Sequence, residues 1–320
     1  MTPINRITRT TSTQKPTPDP ASSMTIREAI AYIHRHIPEE KIHGNAYIMR
    51  MMENVAELNE TGILTSLDTP LTAKQISRLA LLVKKINEDE PLEYITGSCE
   101  FHGRRLYVSK STLIPRPETE TLVDITLSFA HNALFSEEYL GKTASGKKRH
   151  LSIVDVGTGS GCIIIATALM LKEPVDLYAT DISAQAITTA RKNLKAYALE
   201  NKIHLYTGSL LEPIPNEISF DIIVANLPYI KDDEMGILPD SIKNYEPHIA
   251  LDGGENGASV IRELLIEATE RLNPKGVILL EVQPAIIQAV KAYTKRFFPS
   301  ARLSIMKDTF DVDRFIVVET

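Results

Sequence analysis

Leu151-Ser152-Ile153-Val154-Asp155-Val156-Gly157-Thr158-Gly159-Ser160-Gly161 reads as a buried strand running into a turn with glycine at alternate positions, after which an apolar helical stretch begins near residue 161. Alternate glycines let the backbone turn tightly and approach a ligand closely, and the start of a helix offers N–H groups that the helix itself does not use. An anionic or carboxylate-bearing ligand is therefore expected at this loop. The loop lacks the Gly-Lys-Ser/Thr ending of a P-loop. It also departs from the GxGxxG dinucleotide fingerprint, because Cys162 stands where the third glycine belongs.

Strand-like runs recur outward from this loop at 151–156, 175–180, 203–206, 220–225, 276–282, 301–306 and 314–319. Helical stretches separate them near 161–171, 183–198, 257–272 and 284–297, the alternation of an open parallel α/β sheet. The connection over 307–313 is too short for a helical crossover, so the last of the seven strands is expected to run antiparallel. Asp181 closes the second strand, 24 residues after Gly157, where a carboxylate can accept from both hydroxyls of a ribose. The fourth run ends on Asn226-Leu227-Pro228-Tyr229. A buried strand that stops on a polar residue and then a proline sets an amide at the carboxyl edge of the sheet, where open α/β sheets bind ligands. Asn226 offers an acceptor and two donors, Pro228 stiffens the chain and Tyr229 offers a flat ring, a set suited to a planar NH2 group. Asn and Pro also make ordinary turns, and these four residues alone do not decide between the two readings.

The 320 residues suffice for a large α/β domain and a smaller one. A net charge of -6 argues against a protein that chiefly grips nucleic acid, which needs a concentrated basic face. Cys99 and Cys162 form neither a CxxC pair nor a disulfide framework, so a reducing compartment is expected. No run approaches the roughly 18 apolar residues of a membrane span. Residues 1–23, rich in Thr and Pro, read as a disordered tail whose Arg and Thr content also resembles a transit segment. Residues 24–96 read as three short amphipathic helices: one opened by a Thr25/Glu28 capping box, one carrying Ile48, Met52 and Val55 and ending near Gly62, and one opened by a Thr72/Gln75 box. His34, His36 and His43 in this region have no fixed ligand spacing and read as solvated helix-end histidines, and no metal is expected. Residues 97–114 carry a β-hairpin turning at His102-Gly103-Arg104 and joining the two domains, and 115–320 form the α/β domain. Its entrance, Leu113-Ile114-Pro115-Arg116-Pro117-Glu118-Thr119-Glu120, is a rigid elbow leading into a helix that runs to about Phe135. The basic stretch 142–150 reads as a flexible surface insertion or as a contact for an acidic partner or RNA.

Asp155, the GxGxG loop and Asp181 together resemble motif I of class I S-adenosylmethionine-dependent methyltransferases. The resemblance implies a seven-stranded Rossmann-like sheet with an antiparallel last strand. It also implies that Gly157, Thr158, Gly159, Ser160 and Gly161 hold the methionine part of S-adenosylmethionine and Asp181 its ribose. Family members carry an acid after the third strand to meet the adenine amino group; Gly208-Ser209-Leu210 supplies the Ser209 hydroxyl and the Leu210 amide instead. Asn226-Leu227-Pro228-Tyr229 resembles the NPPY signature of enzymes that methylate planar nitrogens, with Leu227 in place of the first proline. On that likeness Asn226, Pro228 and Tyr229 are the catalytic candidates, and Asn226, Leu227, Pro228 and Tyr229 hold the substrate, with Phe101 and Pro117 lining the pocket or packing between domains. Asn226 also borders the cofactor.

The flanks narrow the family. Residues 91–97, Glu100-Phe101-His102-Gly103, the elbow, and Glu246-Pro247-His248-Ile249-Ala250-Leu251 with Gly253-Gly254 and Asn256-Gly257 are similar to the HemK-type release-factor glutamine methyltransferases, from about residue 24 to residue 320. That implies N5 methylation of the glutamine in the Gly-Gly-Gln loop of class 1 peptide-chain release factors. The helical domain would dock the release factor, the enzyme would be a cytoplasmic monomer without a direct nucleic-acid role, and a transit function of residues 1–23 would place it in an organellar matrix. Alternative readings are methylation of a ribosomal-protein glutamine or a nucleobase amino group such as DNA adenine, or a non-catalytic binding subunit of the same fold.

Overall fold

The structure is a computed structural model and describes residues 23–135 and 150–320. The expectations for the tail and the basic insertion fall on residues 1–22 and 142–149, outside the described residues. The chain divides into two compact units, Met1–Thr96 and Gly97–Thr320.

In the first unit, α1 (Ile26–His36) opens on the Thr25/Glu28 capping box and α4 (Ala73–Asn87) on the Thr72/Gln75 box, both closed in each direction. Between them lie α2 (Gly44–Ala56) and α3 (Glu60–Thr65), and α5 (Leu92–Thr96) ends the unit. The described residues thus hold five α-helices where periodicity indicated three. The second run stops at Glu57, which takes a left-handed φ of 59°, and Asn59 then caps a fresh helix by accepting from Gly62 N–H. Helices of five or six residues are too short to show a repeating apolar face. Ile33, Met51, Met52 and Leu79 are fully buried where the stripes of α1, α2 and α4 meet.

The second unit begins with the hairpin of β1 (Ser98–Phe101) and β2 (Arg104–Tyr107), whose turn sets His102 and Gly103 at positive φ. The elbow leads into α6 (Pro117–Leu134), with proline at the first helical position, where its missing N–H costs nothing. Then follow β3 (Leu151–Val156), α7 (Cys162–Met170), β4 (Val175–Asp181), α8 (Ala184–Ala196), β5 (Ile203–Thr207), β6 (Phe220–Ala225), the short α9 (Asp240–Lys243), α10 (Ser259–Arg271), β7 (Leu272–Glu281), α11 (Ile287–Phe297), β8 (Arg302–Lys307) and β9 (Asp313–Glu319). Seven strands form one sheet in the order β5-β4-β3-β6-β7-β9-β8. The first five pair in parallel, and β9 enters antiparallel to both β7 and β8, as the short connection before it requires. Every residue of β3 and β6 is buried, Ser152, Asp155 and Asp221 included, as in the central strands of a sheet covered on both faces. From β3 the chain steps outward to β4 and β5, then returns to place β6 on the other side. The carboxyl ends of β3 and β6 therefore flank the point where the strand order reverses, the usual position of a ligand crevice.

Candidate active site

A cavity of about 280 Å³ opens at that crevice. Gly157, Thr158, Gly159, Ser160 and Asp181 line one side of it; Asn226, Leu227 and Pro228 line another, with Ser209 and Leu210 also on its wall. Gly157, Gly159 and Gly161 all take positive φ, at 74°, 57° and 82°. A Cβ on Gly157 would meet Leu227 Cδ2 at 2.9 Å, so the loop and the tetrapeptide pack directly on each other. A Cβ on Gly159 would meet nothing within 4 Å. The loop is pinned to the sheet where Gly157 N–H and Thr158 N–H both donate to Thr180 O at 2.9 Å.

Two carboxylates support this side. Asp155 is fully buried and accepts from Thr158 Oγ1 at 2.6 Å; burial pushes its pKa up to about 7 against the pull of that bond. Asp181 accepts Gly159 N–H on Oδ2 and Ser183 N–H on Oδ1, each at 2.8 Å. Burial raises its pKa while these two bonds restrain the rise. Each Asp181 oxygen keeps a lone pair beyond its backbone bond, which suits a pair of hydroxyls. Asn193, buried in α8, donates to Ser160 O and Tyr107 O and accepts Tyr107 N–H, so it ties the glycine loop to the hairpin.

The Asn226 side is held by residues distant in sequence. Asn226 Nδ2 donates to Thr119 Oγ1 at 3.2 Å, and Thr119 sits buried in the first turn of α6. Gln283 Nε2 donates to Tyr229 O at 3.0 Å. Ile230 N–H donates to Leu251 O and Ile230 O accepts Gly253 N–H, which stitches the tetrapeptide's exit to the 246–257 segment. The glycines there are required by close approach: a Cβ on Gly253 would lie 2.8 Å from Tyr229 Cα, and one on Gly257 would lie 2.6 Å from Tyr229 O. Glu246, buried, accepts from the Arg116 guanidinium and from Ile114 N–H, while Glu120 Oε1 accepts His102 N–H at 2.7 Å. The elbow therefore fastens the hairpin turn and the 246–257 segment to the cavity wall.

Three expected site residues stand away from the cavity lining. Gly161 caps α7 behind the loop. Tyr229 lies beyond the lining, with its hydroxyl pKa pushed up to about 12 by burial and by the nearby Glu281 charge. Phe101 does not line the cavity: it is 1% exposed, within the hairpin and paired in register with Arg104. From the elbow it is Pro115, not Pro117, that reaches the cavity. Leu227, standing where the related signature has its first proline, is buried against Gly157.

The supports Thr119, Asn193 and Gln283 were not anticipated. A usable signal existed for Gln283, because Glu281-Val282-Gln283 is a second place where a buried apolar strand stops on polar residues at the same sheet edge.

Residues 24–97 match the family described as the PrmC N-terminal domain, and residues 137–232 match the family described as ribosomal protein L11 methyltransferase (PrmA). The release factor glutamine methyltransferase of Lactococcus lactis subsp. lactis is 34% identical over 83% of this chain and 91% of its own length. That of Gloeobacter violaceus is 30% identical over 88% of this chain and 93% of its own. Among solved structures, the hMettl16 catalytic domain in complex with MAT2A 3'UTR hairpin 6 superposes with a TM-score of 0.50 at 13% identity, covering 75% of this chain and 91% of that one, a likeness of fold. Among the described residues no helix is long and apolar enough to cross a membrane.

Proposed function

The chain belongs to the release factor glutamine methyltransferase family, and from that premise we propose that it transfers a methyl group from S-adenosylmethionine to the side-chain amide nitrogen, N5, of the glutamine in the Gly-Gly-Gln loop of class 1 peptide-chain release factors. The observation that carries this reading is that the glycine loop, Asp181 and Asn226 line one cavity. The residues present fit the cofactor: Gly159 leaves open space where any side chain would project, and both Asp181 oxygens retain acceptor capacity. When bound, S-adenosylmethionine supplies an electrophilic methyl group on a sulfonium.

In this proposal the glycine loop at residues 157–161 holds the methionine part of the cofactor and Asp181 takes the ribose hydroxyls, while Ser209 and Leu210 border the base. Asn226 Oδ1 accepts one N–H of the substrate amide, and the carbonyl of Leu227 or Pro228 accepts the other. An amide nitrogen is a poor nucleophile because its lone pair is delocalised. Drawing on both hydrogens raises electron density at nitrogen, and the same acceptors stabilise the positive charge that develops there. Fixing the nitrogen in line with the methyl group supplies much of the remaining rate. Pro228 stiffens the segment, and Tyr229 contributes by the anchoring of its main chain to Gln283. The helical unit, residues 24–96, which matches the PrmC N-terminal domain, docks the release factor in this proposal.

The match to ribosomal protein L11 methyltransferase covers both the glycine loop and Asn226–Tyr229 and stops at residue 232, short of Gly253, Gly257 and Gln283. The test is a competition: labelled S-adenosylmethionine with the purified protein and equal amounts of a class 1 release factor, ribosomal protein and DNA. Label on the release factor alone is expected. Label on ribosomal protein or DNA in preference to the release factor would overturn the proposal.

A further inference from the structure

Beside the Asn226 amide lies a carboxyl with no part in the account above. Glu281 ends β7 immediately after the buried run Val277, Ile278, Leu279 and Leu280, and is itself 2% exposed. Its Oε2 has no hydrogen-bond partner among the described residues. A buried, half-satisfied carboxyl is costly where packing alone is at stake, and an apolar side chain would end the strand at lower cost.

The hydrogen bonds around it have one consistent polarity. Asn226 Nδ2 gives a proton to Thr119 Oγ1. Ala225 pairs in register with Leu280, so Asn226 and Glu281 are the next residues at the same sheet edge. Having accepted from Asn226, the Thr119 hydroxyl has its own single proton to give, and the neighbouring Glu281 carboxylate, whose pKa both Thr119 and Asn226 pull down, is the acceptor on hand for it and for the second Nδ2 proton. With both Nδ2 protons directed at protein oxygens, only Oδ1 is left to serve the cavity. Turning the amide over would set Oδ1 against a carboxylate and against an oxygen whose proton is already committed. We propose that Glu281 is a positioning residue that locks the Asn226 amide with its oxygen toward the cavity, so that the site accepts from the substrate NH2 group and does not donate to it. This rests on the proposed role of Asn226 as acceptor of the glutamine amide.

The lock has a pH dependence. Burial pushes the Glu281 pKa up to about 7, Glu118 of α6 raises it further, and Thr119, Asn226 and Arg314 of β9 oppose the rise. Arg314 is itself paired with Asp308 at 3.2 Å, and Tyr229 is the remaining titratable group facing the carboxyl. Below the Glu281 pKa the protonated carboxyl becomes a donor, and the polarity of the relay is no longer enforced.

The experiment compares wild type, Glu281→Gln, Thr119→Val and the double variant. It measures kcat for methyl transfer to full-length release factor on both sides of neutral pH and calorimetric affinity for S-adenosylhomocysteine. Glu281→Gln is expected to lower kcat by on the order of 10–100-fold, to flatten its rise through about pH 7, and to leave cofactor-product affinity within about twofold. Thr119→Val should cause a similar loss, and the double variant no more than either alone, as for members of one network. Wild-type kcat and pH profile in Glu281→Gln, or fully additive losses, would overturn the proposal. NMR of the Asn226 side-chain amide separates this from failure of the proposed substrate: slow exchange of its Nδ2 protons in wild type and fast exchange in Glu281→Gln are expected whatever is methylated. Equal exchange in the two proteins would overturn the lock.

Discussion

The two walls of the cavity are built on opposite plans. The glycine-loop wall is made within one β3–α7–β4 unit: its donors are backbone N–H groups, its conformation comes from three glycines at positive φ, and Asp181 ends the neighbouring strand. The Asn226 wall is assembled from side chains that lie far apart along the chain. Thr119 comes from α6, Gln283 from the end of β7, and Gly253 and Gly257 from the segment that crosses over Tyr229. A wall made of backbone tolerates most side-chain changes outside its glycines. A wall made of side chains depends on each partner in turn.

The contrast is sharpest in Asn226→Ala. Methyl transfer should fall by on the order of 10²–10³-fold, as for loss of one well-placed polar group at a reacting centre, while affinity for S-adenosylmethionine changes by less than about threefold. Parallel loss of both would mean that the two walls are one functional unit. Asp181→Ala should do the reverse. Loss of two hydrogen bonds to a charged acceptor, about 1.5–3 kcal/mol each, should weaken cofactor affinity by on the order of 10²–10⁴-fold, and kcat at saturating cofactor should fall less. Calorimetry beside steady-state kinetics checks both.

How legible each wall was in the sequence follows the same division. Gly157 to Gly161 and Asp181 could be read because their chemistry is local, a strand end, a turn and a helix start within a few residues. Asn226 and Pro228 could be read for the same reason. Thr119 appeared only as part of a proline elbow, because its partner lies 107 residues away and no local pattern connects them. Phe101 belongs to a family string that reads equally as pocket lining or as packing; it ends β1, paired with Arg104, and is buried outside the cavity lining. Seven strands and the antiparallel last strand followed from apolar runs and the length of one connection. Two helices of five and six residues did not, since they complete no more than two turns.

Leu227 links the walls and is the site of smaller effects. It stands where the related signature has proline and fills the space beside Gly157. Gly157→Ala would put a Cβ at 2.9 Å from Leu227 Cδ2 at a φ of 74°, so it should lower stability by about 1–3 kcal/mol and weaken cofactor binding, read by melting and calorimetry. Leu227→Pro should leave both nearly unchanged. Restriction of the unfolded chain is worth about 0.4–1 kcal/mol, and the lost side-chain packing opposes it.

The pH dependence of stability separates the buried carboxyls from the exposed ones. Asp155 has a folded pKa raised to about 7 from 3.8, so its neutral form is favoured by folding. Its contribution is fully present below the unfolded value and is lost as pH rises through about 7. Asp155→Asn should therefore flatten the fall in melting temperature between about pH 4 and 7, leaving the part due to Glu281. An unchanged slope would show that Asp155 stays charged throughout that range.

The most direct test of the central claim is to locate the transferred methyl group. Release factor treated with wild-type protein and S-adenosylmethionine, then digested and sequenced by tandem mass spectrometry, should carry one methyl group on the side-chain amide of the Gly-Gly-Gln glutamine. It should carry none when Asn226 is alanine. A methyl group on lysine, arginine or the amino terminus, or an unmodified glutamine, would contradict a site built to hold a planar NH2 group.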